Sequence, residues 1–180
     1  MEFKNAGKRF RVKMKKEDGT SFSASLQSPT TANKRASFSE FRPEKRMLFA
    51  DSGVNLKAGD VFITPRGKTY MCAYNGESEY APSDLITFLA IPVFEKKTWQ
   101  RKSTEIDPIT GIAKEESTLD LGLVWVSIED DGQRSDTIKV AKPQYKLITN
   151  VPLMLGDIIG EKYTVKRVDF ILGVTVADVE

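Results

Sequence analysis

Within residues 8–16 the chain alternates from Arg9 to Lys15: Phe10, Val12 and Met14 lie on one side, Arg9, Arg11, Lys13 and Lys15 on the other. A period of two predicts a half-buried strand. The Asp18-Gly19 pair that follows suits a tight turn requiring positive φ. Phe22, Ala24 and Leu26 then resume the alternation, so an N-terminal hairpin is expected. Residues 28–45, "SPTTANKRASFSEFRPEK", break the pattern and predict a long basic loop with room for one helical turn near Ser37–Phe41. A loop of that length in a compact domain has two readings, a flexible connection or a segment that orders against a partner with Phe38 and Phe41 as its anchors. "GDVFI", "TPRG" and "KTYMCAY" predict a second strand–turn–strand. After the loop "NGESEYAPSD", the apolar run "LITFLAIPVF" predicts another strand, with Pro92 at an edge or bulge.

The pattern changes at residues 95–118. Both arms, "EKKTWQRKSTE" and "KEEST", are polar on both faces around the tip "DPITG", where Pro108 and Gly111 fit turn positions. If Asp107 faces Ile112, Glu105 faces Lys114, an opposite-charge cross-strand pair. A hairpin wet on both faces is expected to project from the body by roughly 30 Å for about ten residues. Its candidate inter-subunit contacts are Trp99, Arg101, Lys102, Glu105, Pro108, Lys114, Glu115 and Glu116. Leu119, Leu121, Leu123 and Trp125 are expected to carry the return arm back into the core. A further hairpin is expected with Asp131-Gly132 at its turn, and Gly173 marks a bend or bulge in the last strand-like run.

One device occurs twice. Val54, Leu56, Gly59 and Asp60 are followed by Gly67 and Tyr70; Val151, Leu153, Gly156 and Asp157 are followed by Gly160 and Tyr163. Six residues separate Asp60 from Gly67, and two separate Asp157 from Gly160. Glycine frees the backbone, aspartate accepts turn N–H groups, and the tyrosine ring packs at the end of a strand–turn–strand. These eight residues, Gly59, Asp60, Gly67, Tyr70, Gly156, Asp157, Gly160 and Tyr163, are therefore expected to be structural, two equivalent corners that close one small barrel and remove its edges. The expected fold class is all-β: a small β-barrel or sandwich over residues 1–180, with the 28–45 loop and the 95–118 hairpin as insertions.

Composition narrows the chemistry. With no histidine and one cysteine, Cys72, the chain has no Ser-His-Asp triad, no Cys-His pair and no Cys/His zinc site. No enzyme activity, catalytic residue, metal or cofactor is expected. No apolar run reaches the length of a membrane helix, the first ten residues lack the apolar core of a signal peptide, and no membrane partner is expected. Residues 1–46 carry 12 Lys/Arg against 5 Asp/Glu, a net +7, whereas the remainder carries a net −5. Arg9, Arg11, Lys13, Lys15, Lys34 and Arg35 are the candidate contacts to DNA or to an acidic partner.

The opening "GKRFRVKMKK" followed by "GD…GKTY" resembles the small β-barrel head–tail connector (stopper, or head-completion) proteins of tailed bacteriophages. Gly7, Lys8, Arg9 and Arg11 sit where that family has its basic opening strand, and Gly67 and Tyr70 where it has a Gly-x-x-Tyr turn. The chain departs from that pattern in its length, its second Gly-Asp unit and its 95–118 hairpin. The resemblance implies a virion protein of the neck, made in the host cytoplasm. It would assemble as a homo-oligomeric ring between DNA-filled head and tail, gate the channel, and contact adjoining portal or adaptor and tail proteins. Non-specific DNA in the channel is a further implied partner. A tail terminator, a tail-completion or collar protein, or a barrel-type nucleic-acid-binding module are the alternatives. Against the last, the basic face of 8–16 and its return strand offer no outward aromatic for base stacking.

Overall fold

A computed structural model describes residues 11–27, 45–74, 85–106, 109, 113–130 and 145–180, with backbone alone at 104–106, 113–116 and 130. All regular structure among them is β, as the alternation predicts: twelve strands and no helix. The 28–45 loop, except Lys45, lies outside the described residues, as do Arg9, Phe10, Pro108 and the Asp131-Gly132 turn.

The chain divides into two compact units, residues 1–94 with 172–174, and residues 95–171 with 175–180. In the first, β1 (Val12–Lys16) and β2 (Ser21–Gln27) form the expected hairpin, with Gly19 at φ 91° and the Thr20 N–H donated to Asp18. β3 (Arg46–Asp51) follows, then β4 (Val61–Ile63), β5 (Thr69–Tyr74) and β6 (Leu85–Pro92). The strands close in the order β1-β2-β3-β6-β5-β4, every neighbour antiparallel. Pro92 ends β6, where a missing N–H costs the ladder least.

In the second unit β7 (Glu95–Ile106) and β8 (Ala113–Asp130) make a long hairpin, followed by β9 (Tyr145–Thr149), β10 (Ile158–Ile159), β11 (Tyr163–Ile171) and β12 (Val174–Val179). The closed order is β7-β8-β9-β12-β11-β10. Replacing each strand of the first barrel by the one six places later reproduces the second. The repeat seen in the sequence as one corner is thus a whole six-stranded barrel. The two corners do not close one barrel between them; each belongs to its own, because β4 returns to β1 and β10 returns to β7.

Each core draws on matched positions. Leu56 and Phe62 sit in the first core, Leu153 and Ile159 in the second, with Val54 and Val151 packed against them. Tyr70 stacks on Phe62 at 5.7 Å, and Tyr163 meets Tyr145 edge-on at 5.5 Å. Gly173 is not a bulge. It forms a two-residue reversal with Leu172 between β11 and β12, both at positive φ (53° and 77°), the left-handed pair a tight hairpin turn requires.

The return arm of the long hairpin departs from expectation. Trp99 lies opposite Gly122 and Gln100 opposite Asp120, so Leu121 is an extra residue, with Gly122 at φ 101°. A bulge inverts the alternation that follows it. Val124 and Val126 therefore enter the core, while Leu123 is exposed.

Candidate functional site: two equivalent corners and the root of the hairpin

Each corner is a tight loop that hands the chain into a short strand. In the first, the Lys57 N–H donates to Asp60 Oδ2 at 3.0 Å, the Asp60 N–H to Lys57 O, the Gly59 N–H to Cys72 O and the Cys72 N–H to Asp60 O. In the second, the Met154 N–H donates to Asp157 Oδ2 at 2.9 Å, the Asp157 N–H to Met154 O, the Gly156 N–H to Val165 O and the Val165 N–H to Asp157 O. All four bonds have counterparts. Gly59 and Gly156 adopt φ 87° and 84°, left-handed values that explain the glycine. Gly160 donates to Thr98 O at the ladder position that Ile63 occupies in the first barrel, so the four-residue difference between the copies lies wholly in the β4–β5 turn.

What grips each aspartate differs. Asp60 is 24% exposed in its side chain and pairs with Lys16 Nζ at 3.0 Å. The hydrogen bond to Asp60 raises the Lys16 pKa against the lowering effect of burial. Asp157 is fully buried. Its Oδ1 accepts from Arg101 Nε at 2.7 Å; its Oδ2 accepts from Arg101 Nη2 and Trp99 Nε1, both at 2.9 Å, besides Met154 N–H. Burial favours the neutral acid, but the bonds from Arg101, Met154 and Trp99, with the Arg101 charge, outweigh it and hold the carboxyl below the usual aspartate range. A carboxylate with four donors and no exposure to solvent carries charge and positions the groups that donate to it. Cys72, buried in the first core, has its thiol pKa pushed well up by burial and secondarily by the Asp60 charge, so it is no nucleophile.

Trp99 and Arg101, expected as arm contacts, instead form the root of the hairpin, anchored to their own barrel. Beyond them Lys102, Ser103 and residues 117–120 are exposed, which makes consecutive positions, and hence both faces, wet. β10 meets β7 at Trp99 and Gln100, and β9 meets β8 from Val126 to Asp130. Ile106 lies opposite Ala113, the register expected from the tip, though a second irregularity between Thr104 and Ile106 interrupts it below. Side chains of Glu105, Lys114, Glu115 and Glu116, and all of Pro108, lie outside the described residues.

Of the expected basic contacts, Arg11 is committed to Asp51 through two hydrogen bonds, one of 2.7 Å, within the first barrel. Lys13 and Lys15 are exposed; Arg9, Lys34 and Arg35 lie outside the described residues. No group of three or more His, Cys, Asp or Glu able to hold a metal occurs among the described residues. An open groove of about 770 Å³ in the first unit is lined mainly by apolar groups, among them Val54, Ala58, Tyr74, Phe88 and Leu172. Sequence reading missed the clamp on Asp157: its partners lie 56 and 58 positions away, and the one available signal was the unusual Trp and Arg in an otherwise polar arm.

Compared with models of known protein families, with curated proteins and with solved structures, the chain matches none.

Proposed function

We propose that this chain is a structural assembly protein that self-associates through its β7–β8 hairpin, in the specific form implied by its resemblance: a ring component of the neck of a tailed bacteriophage. One observation carries the assembly reading. The hairpin is fixed at its root by a fully buried carboxylate, yet its described outer rungs pair with each other and are exposed on both faces. A strand pair anchored at its base and wet on both faces over its described outer rungs fits strand addition or lateral docking on another protein. A nucleic-acid-binding module draws less support, since Arg11 is turned inward to Asp51.

The test must spare the root. Excising 97–116 would remove Trp99 and Arg101 and with them the grip on Asp157. Replacing residues 103–117 by Asn-Gly, which closes Lys102 onto its cross-strand partner Thr118 with a two-residue turn, leaves that grip intact. In negative-stain micrographs the wild type is expected to form rings, and the shortened protein to keep its melting temperature and form none. Rings formed equally well by the shortened protein would overturn the arm's role.

A further inference from the structure

The corners differ on their outer sides as well. Lys57 and Ala58 of the first correspond to Met154 and Leu155 of the second, because they precede the same Gly-Asp and make the same backbone bonds. In the first unit Ala58 is covered: the Leu172–Gly173 turn lies on it so closely that a Cβ on Gly173 would stand 2.3 Å from the Ala58 Cβ. Leu172 O accepts the Tyr74 N–H at 2.7 Å in the same place. A small residue is required beneath that turn. In the second unit the matching residues are large, apolar and bare, Met154 57% and Leu155 71% exposed. Leu119, 54% exposed, joins them through a short chain of contacts: it faces Arg101 across the hairpin, Arg101 holds Asp157, and Asp157 holds the Met154 backbone. Three exposed apolar side chains thus stand on segments tied to one ion pair, Arg101 with the buried Asp157.

Charge points to what covers them. Residues 1–94 with 172–174 carry 15 Lys/Arg against 10 Asp/Glu, a net +5; the rest carries 12 against 15, a net −3. One chain therefore offers both members of a complementary pair.

We infer that Met154, Leu155 and Leu119 form a docking patch for a second copy of this chain, the acidic second unit of one copy meeting the basic first unit of the next. This rests on the assembly reading and names its surface. The contact joins unlike faces, so it propagates head to tail and closes into a ring when the rotation permits. Exposed apolar side chains with polar surroundings mark interaction sites, and opposite net charges speed and orient the encounter.

The two corners supply their own control. Met154→Lys with Leu155→Ala rewrites the second corner as the first, whose Lys-Ala-Gly-Asp sequence folds to the same bonds, so the variant is expected to keep its melting temperature. By sedimentation velocity its self-association should weaken about tenfold or more relative to wild type, the equivalent of losing one interface anchor. Wild-type association should itself weaken as salt is raised from 50 to about 500 mM. A double variant that associates like wild type, while the hairpin-shortened protein does not, overturns this patch and leaves the assembly reading standing. A wild type that stays monomeric at every concentration overturns both. Wild-type association indifferent to salt overturns the pairing of unlike units.

Discussion

The first barrel closes its corner on a lysine and leaves the carboxylate partly in water; the second closes the same corner on an arginine and a tryptophan and excludes water altogether. The backbone bonds around Asp60 and Asp157 are the same, so the loop itself does not decide what the aspartate does. The difference lies in the strand that meets the corner. Lys16 and Trp99 occupy equivalent rungs, opposite Phe62 and Ile159, and each reaches Oδ2 of its aspartate. Only in the second barrel does the strand run on, and Arg101 two residues later adds two more bonds. A turn device that the first barrel uses to finish a strand is used in the second to hold the base of a hairpin that leaves the barrel.

Removing the carboxylates separates the two most sharply. Asp157→Ala leaves the Arg101 guanidinium and the Trp99 and Met154 N–H groups without their acceptor in a dry site, and should cost about 3 kcal/mol. Asp60→Ala, at a wetter site with one mobile lysine, should cost about 1 kcal/mol. Urea titrations check both, and both tryptophans, Trp99 and Trp125, lie in the second unit, so their fluorescence follows that barrel while circular dichroism follows the whole. Equal costs at the two sites would show that the clamp adds nothing to the turn.

Glycine substitutions sharpen the contrast between covered and bare corners. Gly173→Ala must hold φ 77° and push against Ala58, and should lose about 2 kcal/mol. Gly156→Ala must hold φ 84° with nothing within 4 Å of the new methyl, and should lose about 1 kcal/mol. Thermal melts of the pair give the difference directly; a smaller loss for Gly173→Ala would contradict the close contact.

The smallest effect is the response to acid. Asp157 has a folded-state pKa below its unfolded value, so its contribution to stability is present above the ordinary aspartate range, about 4, and is lost as pH falls through the lower folded value. Tryptophan fluorescence should report the second barrel loosening on acidification below about pH 4. Asp157→Asn should remove that component of the pH dependence while Asp60→Asn leaves it in place; a pH profile unchanged by Asp157→Asn would place the acid sensitivity elsewhere.

Much of the fold was legible. Phe22 and Ala24 lie in the first core, Asp18-Gly19 turns the first hairpin, and the Val-x-Leu-x-x-Gly-Asp signature marks homologous corners because its leucines both plug barrel interiors. The sequence pattern makes the 95–118 hairpin an insertion in one barrel, and hides the second barrel, for two reasons. Its first strand is polar enough on both faces to look like an arm throughout, though its root at Trp99 and Arg101 is structural. Its second strand carries a bulge at Leu121, which reverses the alternation and sends Val124 and Val126 inward where Leu123 and Trp125 were expected.

The chain by itself determined what is local: strands from a period of two, reversals where glycine can take positive φ, and a corner repeated because each copy needs only residues within a few positions of its aspartate. Tertiary structure alone decided that each corner closes a barrel of its own, that Asp157 is buried and Asp60 is not, and that Ala58 is covered while Leu155 is bare. Those outcomes depend on partners brought from tens of residues away, and on the phase in which a strand arrives, which one inserted residue inverts.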